Sequence, residues 1–277
     1  MQPANKRELE SIETQLLLEG VYQRYGYDFR DYAPASLKRR IRLCMQKENL
    51  STVSALLDKL LHDPACMERF LLALSIGVTA MFRDPEFYRA FCATVVPLLR
   101  ALPFVRIWHA GCASGEEVYS LAILLHEEGL YDKAKIYATD MNEVLLQQAR
   151  EGIFPLKTMQ GYTDNYIRAG GKRSFSEYYT ARYENALFRP NLKTNLIWAA
   201  HNLVTDASFN EFHVILCRNV MIYFNKALQD RVHHLLYDSL MPQGVLGLGS
   251  KESLKFTPYE DRFEELDGRE KLYRRIK

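Results

Sequence analysis

Gly111-Cys112-Ala113-Ser114-Gly115 is a run of small residues that ends on two acids, Glu116 and Glu117. Small side chains let a ligand approach the backbone closely, and the start of a following helix offers unpaired N–H groups. That is the chemistry of a nucleotide-type site. The run has neither the G-x-G-x-x-G of a dinucleotide site nor the Lys-Ser/Thr of a P-loop, which argues against NAD and ATP. Acids at the place where a pyrophosphate needs positive charge favour a cationic or neutral ligand, and the sulfonium of S-adenosylmethionine has the matching sign. Asp140 ends a second apolar segment, where an acid accepts hydrogen bonds from ribose hydroxyls or caps the next helix. Arg218, Asn219 and Tyr223 follow a third such segment and are candidates to line the same site, Tyr223 being equally suited to core packing.

The elements that must position these residues follow from periodicity. Phe104 to Ala110 reads as a strand, Glu116 to Glu128 as a helix with the stripe Val118, Leu121, Ala122 and Leu125, and Lys135 to Thr139 as a second strand. Asn142 caps another helix, Phe212 to Cys217 reads as a buried strand, and Lys226 to Leu240 as a helix. The alternation predicts a doubly wound α/β domain with a mainly parallel sheet. Residues from about 155 to 195, with Gly170-Gly171 and Phe175, Tyr178, Tyr179, Tyr183 and Phe188, break it and predict an inserted antiparallel ribbon without a crossover helix. Upstream, residues 8 to 100 read as helices: one after Ser36, one opened by Ser51 and ended by Pro64, one from about Cys66 to Leu74, and one started by Asp84-Pro85-Glu86 with Asp84 as its cap. The expected organisation is a helical domain over 1–78, a linker helix region over 79–100, and a larger domain over 101–277 with a β-insertion at about 155–200.

Composition narrows the function classes. Hydrophobic residues make up 48% of the 277 and charged residues 25%, as in ordinary globular proteins. The formal net charge of +2 is too small for bulk attraction to nucleic acid or to an anionic membrane. The first ten residues lack the apolar core of a secretory signal, and no apolar run reaches the ~18 residues of a membrane span, so a cytoplasmic chain is expected. Cys44, Cys66, Cys92, Cys112 and Cys217 are scattered and the His residues have no ligand spacing, so no metal site is expected.

Four segments in this order closely resemble the CheR family of chemoreceptor glutamate O-methyltransferases: Thr79-Ala80-Met81-Phe82-Arg83-Asp84-Pro85, Gly111 to Ser120, His201-Asn202-Leu203, and Cys217-Arg218-Asn219-Val220-Met221-Ile222-Tyr223-Phe224. The resemblance covers nearly the whole chain. It implies a Rossmann-like methyltransferase domain, S-adenosylmethionine as cofactor with S-adenosylhomocysteine as product, and methyl transfer to glutamates of chemoreceptors. It places Thr79 and Arg83 on the linker-side wall of the cofactor site, Gly111, Glu117 and Asp140 against the cofactor, and Asn202, Leu203, Arg218 and Asn219 as the rest of the pocket. Arg83 and Tyr223 would flank the transferred methyl. Gly77 stands where many members carry Asn, so a side-chain contact to the cofactor is missing or replaced there. The segment Gly249-Ser250-Lys251-Glu252 also departs slightly from the family's usual Gly-His-Ser-Glu.

Ala33 to Lys47 holds Lys38, Arg39, Arg40, Arg42 and Lys47 with no acid, a pattern suited to an acidic partner or simply to a solvated face. With the resemblance, the expected partner is the glutamate-rich methylation region in the cytoplasmic domain of a chemoreceptor. Some family members use the β-insertion to add a receptor's C-terminal peptide as an extra strand, a use that the sequence does not assign to this chain.

Overall fold

The computed structural model describes residues 6–75 and 79–277, with the side chains of Lys6 and Arg7 left aside. Gly77, expected at the cofactor site, lies outside the described residues. The chain divides into two compact units, Met1–Ile76 with Tyr223–Gln229, and Gly77–Ile222 with Asp230–Lys277.

The first unit contains α1 (Lys6–Tyr25), α2 (Pro34–Lys47), α3 (Val53–His62) and α4 (Pro64–Leu74). Leu17, Val21, Phe29, Ile41, Leu56, Leu60 and Phe70 are buried in its core. Thr52, and not Ser51, opens α3, its Oγ1 accepting the Ala55 N–H at 3.1 Å. Asp63 caps α4 by accepting the Ala65 N–H at 3.0 Å, so Pro64 begins that helix as well as closing the one before. Ser36 is not the cap of α2 either. The helix already starts at Pro34, and the Ser36 hydroxyl lies within it, accepting from Arg40 Nε at 3.3 Å.

The segment Tyr223–Gln229, expected in the larger domain, groups with these helices. Phe224 forms a β-bridge with Tyr32, their rings edge to face at 5.0 Å, and the Asn225 N–H donates to the Asp31 carbonyl at 2.9 Å. Asp31 lies 194 residues earlier, a pairing that no local pattern announces.

The second unit begins with α5 (Pro85–Thr94) and α6 (Val96–Arg100). Phe87, Tyr88, Phe91, Val95, Val96 and Leu99 belong to its apolar core, so residues expected to form a linker are core elements of this unit. There follow β1 (Val105–Ala110), α7 (Glu116–Glu127), β2 (Ala134–Asp140), α8 (Glu143–Glu151), β3 (Ile153–Pro155), α9 (Met159–Arg168), β4 (Tyr179–Arg182), β5 (Asn185–Phe188) and β6 (Leu196–Ala200). The chain closes with β7 (Phe212–Cys217), α10 (Lys226–Ser239), β8 (Leu240–Leu248), β9 (Phe263–Asp267) and β10 (Leu272–Arg275). The large sheet has the order β6-β2-β1-β7-β8-β10-β9. Its pairs from β6 to β8 are parallel, and β10 runs antiparallel to both its neighbours. β1 and β7 bury almost every residue, as strands covered on both faces must.

The insertion differs from a plain ribbon. Its small antiparallel sheet, β3-β5-β4, includes β3 from just before the expected boundary, and α9 crosses between β3 and β4. β6, read as part of the ribbon, instead pairs parallel with β2 at the edge of the large sheet. Of the aromatic side chains that suggest a ribbon, Phe175, Tyr178 and Phe188 are buried in the core, Tyr179 packs against it half-buried, and Tyr183 is exposed.

Arg40 is buried, with its Nη1 donating to the carbonyls of Ala73 at 3.0 Å and Leu74 at 2.5 Å. These are carbonyls at the end of α4, which the helix cannot satisfy itself. Arg40→Ala is therefore expected to destabilise the protein by about 2 kcal/mol in urea unfolding, whereas Arg39→Ala on the exposed face stays within about 0.5 kcal/mol.

Candidate methyl-transfer site

The parallel strands β2, β1, β7 and β8 end on one edge of the sheet, at Asp140, Ala110, Cys217 and Leu248. β1 has its next strand in sequence, β2, on one side and β7 on the other, which makes its carboxyl end the topological switch point where ligands bind in open α/β sheets. The loop leaving β1 turns sharply, with Gly111 at φ +80° and Gly115 at φ +93°. A Cβ on Gly111 would lie 2.6 Å from a Val220 methyl, so glycine there serves both the turn and the approach of the loop after β7.

Asp140 is not the cap of α8. Asn142 fills that place, its Oδ1 accepting the Val144 N–H at 3.0 Å. The Asp140 carboxylate reaches across to the β1 loop, accepting from Ala113 N–H at 2.9 Å and from Asn142 N–H at 3.0 Å. Burial pushes its pKa up, opposed by these N–H bonds. A carboxylate has about four acceptor positions, so capacity for further donors remains. The His201 N–H donates to the Asp140 carbonyl at 3.1 Å, which brings the turn carrying Asn202 and Leu203 beside the end of β2. Within that turn Asn202 Oδ1 accepts the Val204 N–H at 3.0 Å.

Arg218, directly after β7, has a side chain only 1% exposed. It donates to Glu117 Oε2 at 2.5 Å and to Asp84 Oδ2 at 2.9 Å, and its guanidinium sits 3.8 Å from the centre of the Phe87 ring. His109 Nδ1 lies 3.4 Å from the other Glu117 oxygen. Burial alone would raise the Glu117 pKa, but the Arg218 charge and the His109 contact prevail and hold it down at about 2. Asp84 occupies the cap position of α5 without capping it: its backbone is left-handed and its carboxylate goes to Arg218. Phe82 is also left-handed, at φ +50°, so Arg83 stands between two strained residues. The segment is tied by the Phe82 N–H to Ser120 Oγ at 2.9 Å and by Asn165 Nδ2 to the Met81 carbonyl at 3.1 Å. Arg83 and Thr79 are half-buried.

Glu252, in the segment after β8, is 6% exposed and organises the turn after Arg218. Its Oε2 accepts from the N–H groups of Gly249 at 2.7 Å and Asn219 at 2.9 Å, and its Oε1 from Val220 at 2.9 Å and Met221 at 2.8 Å, with Ile222 further off at 3.3 Å. Asn219 is left-handed at φ +60°, and a Cβ on Gly249 would collide with its amide at 2.7 Å. The segment Gly249 to Glu252 therefore has a physical role that its spacing did not reveal. Asp84, His109 and Glu252 escaped sequence reasoning because each acts through a residue distant in the chain.

The structure brings Gly111, Glu117, Asp140, Asn202, Leu203, Arg218 and Asn219 to the carboxyl ends of β1, β2 and β7. Tyr223 groups with the first unit, its ring 5.1 Å from the Arg40 guanidinium and its carbonyl accepting the Ala33 N–H at 2.8 Å. The expected basic face of α2 is smaller than the sequence suggests. Arg40 is buried, Lys38 is half-buried and the exposed Arg42 bonds Glu10 at 2.8 Å, while Arg39 and Lys47 are exposed. Among the described residues no group of three or more His, Cys, Asp or Glu is placed to hold a metal ion.

Because Glu117 has a folded pKa near 2 against an ordinary value of 4.5, the unfolded chain binds its proton more readily. Its contribution to stability is complete above about pH 4.5 and is lost as pH falls toward 2. Glu117→Gln is expected to lower stability at neutral pH and to flatten this acid limb, as measured by urea unfolding at a series of pH values.

Residues 77–272 match the family described as CheR methyltransferase, SAM binding domain, and residues 12–75 match its all-alpha domain. A Pseudomonas putida chain that carries the methyltransferase name Cher3 is 49% identical over 264 residues, covering 95% of this chain and 97% of that one. A chemotaxis protein methyltransferase of Listeria innocua is 28% identical over 231 residues, covering 83% and 85%. Chemotaxis protein methyltransferase 2 of Pseudomonas aeruginosa is 29% identical over 225 residues, covering 78% and 76%. No described helix is long and apolar enough to cross a membrane. With both of its domains matched and its strand ends carrying the residues described above, the chain belongs to the CheR family of S-adenosylmethionine-dependent methyltransferases.

Proposed function

We propose that this protein transfers a methyl group from S-adenosylmethionine to glutamate side chains of a chemoreceptor, forming glutamate methyl esters. The residues at the switch point suit the cofactor. The Asp140 and Glu117 carboxylates are acceptors, matched to ribose hydroxyls and an ammonium, and the small-residue loop admits a ligand against the backbone. When bound, S-adenosylmethionine supplies a methyl group made electrophilic by a positively charged sulfur.

One observation favours a carboxylate acceptor: the imidazoles at this edge are committed elsewhere. His109 is 1% exposed with Nδ1 facing Glu117, and His201 is buried with Nε2 on the Ala207 carbonyl. An amine or hydroxyl acceptor needs a base to take its proton. A glutamate with pKa of about 4.3 is already ionised at neutral pH and needs none. The remaining task is orientation and exclusion of water, since two opposite charges are quenched as the ester forms. The tethered segment around Arg83 is suited to hold its guanidinium where it orients the acceptor without a tight ion pair that would blunt the nucleophile. Tyr223 is a second proposed orienting group on its sequence position, four residues after Asn219. Arg39 on α2 is proposed to attract the acidic receptor segment.

The test uses labelled S-adenosylmethionine and a purified chemoreceptor cytoplasmic fragment. Label that alkali releases as methanol, and that disappears when the receptor glutamates are changed to alanine, is the expected result; alkali-stable label would count against an ester. Turnover should be flat from pH 6 to 8, because no imidazole limb is required, and a limb with an apparent pKa of about 6.5 would argue for a base. Tyr223→Phe is expected to reduce turnover at least about tenfold while S-adenosylhomocysteine binds unchanged.

A further inference from the structure

Arg83 sits between two residues whose backbone is left-handed, Phe82 at φ +50° and Asp84 at φ +56°. For side chains of these types the conformation is strained, and it persists only where the surroundings hold it from several sides. On the downstream side the hold is the Asp84 carboxylate on Arg218. On the upstream side it is a single peptide group. The Met81 carbonyl accepts from Asn165 Nδ2 at 3.1 Å and the Phe82 N–H donates to Ser120 Oγ at 2.9 Å, so two side chains grip the two ends of one peptide unit. In a trans peptide those ends point in opposite directions, and the grip therefore fixes the rotation of the plane. Met81 is 0% exposed and Phe82 2%, so neither group can turn to solvent instead.

Ser120 comes from α7, where its own hydroxyl donates to the Glu116 carbonyl at 2.7 Å. Asn165 comes from α9, the helix within the insertion, 84 residues away in sequence. Tyr162 and Tyr166 share its face of α9, at helical spacing, and keep that face seated. The Tyr166 hydroxyl donates to Glu127 Oε1 and accepts the Arg173 N–H at 3.0 Å, its ring meets the Phe82 ring edge to face at 5.2 Å, and Tyr162 bonds Glu116. With either end of the peptide released, the plane can rotate and return Phe82 to a negative φ, which displaces the residue that follows it, Arg83.

We propose that Asn165 and Ser120 are positioning residues for methyl transfer, which hold the Met81–Phe82 peptide between α9 and α7 and so set the direction in which Arg83 leaves the backbone. This rests on the methyltransferase reading above, in which Arg83 orients the acceptor, and gives the helix of the insertion a part in the reaction.

A double-mutant cycle on the full chain tests it, with methylation of the chemoreceptor fragment as the readout. Asn165→Ala is expected to lower kcat about tenfold, while KM for the fragment and S-adenosylhomocysteine affinity stay within about twofold of the parent's. Asn165→Asp keeps the shape without the donor and should lose at least as much, whereas Ile167→Ala, on the exposed side of the same helix, should keep the parent's kcat. In an Arg83→Ala background, read by single turnover, Asn165→Ala should cost less than about twofold more, because its effect is carried by Arg83. A kcat within about twofold of the parent for Asn165→Ala, or an equal loss in both backgrounds, overturns the proposal and leaves the methyltransferase reading standing. If Arg83→Ala itself keeps the parent's kcat, there is no role to position and the proposal is wrong. Where Asn165→Ala melts far below the parent, Ser120→Ala passes through the same cycle with the same expected and overturning results. Failure of the parent to form alkali-labile ester overturns the methyltransferase reading and the positioning role with it.

Discussion

A buried guanidinium is the constraint around which the second unit is built. Removing an arginine from water costs several kcal/mol unless its charge and its donors are met, and Arg218 is met by Glu117, Asp84 and the face of Phe87. Each partner comes from a different element: the start of α7, the segment before α5, and α5 itself. The cation therefore sets where two helices begin relative to the end of β7. The left-handed backbone of Asp84 follows from the same demand, since a carboxylate turned toward Arg218 cannot also cap its own helix. Arg83 inherits its position from that choice.

The loops at the strand ends obey a second rule, that buried backbone donors must find acceptors. Asp140 meets the amide of Ala113, Asn142 meets the first amides of α8, and Glu252 meets those of the turn after Arg218. Side-chain oxygens thus do at this edge what a neighbouring strand does in the sheet. The same carboxylates give the edge its negative character, which suits a cationic ligand.

What could be read from the sequence was local. β7 and the start of α7 fall where hydrophobic period and flanking small residues put them, and Asn142 announces its helix because a cap acts on amides two and three residues away. Ser36 and Asp84 have the residue types of helix caps yet serve other partners, because a proline already starts one helix and a distant cation competes at the other. Arg40 looked like one charge among several, and only the fold sets it against the carbonyls ending α4. The same distance hid the place of Tyr223–Gln229, the role of Glu252 and the pairing of β6 with β2. Motif resemblance singled out candidate residues at this edge, whereas their mutual satisfaction came from geometry.

The Glu252 carboxylate has a kinetic consequence. Amides at Asn219, Val220, Met221 and Gly249 share one acceptor group, so none can open to solvent without straining the bonds of the others. Hydrogen exchange at these positions should then proceed through a single opening event, at one common rate despite their separation in the chain. The turn after Arg218 and the segment after β8 would behave as one foldon, linked by an acid and not by a strand.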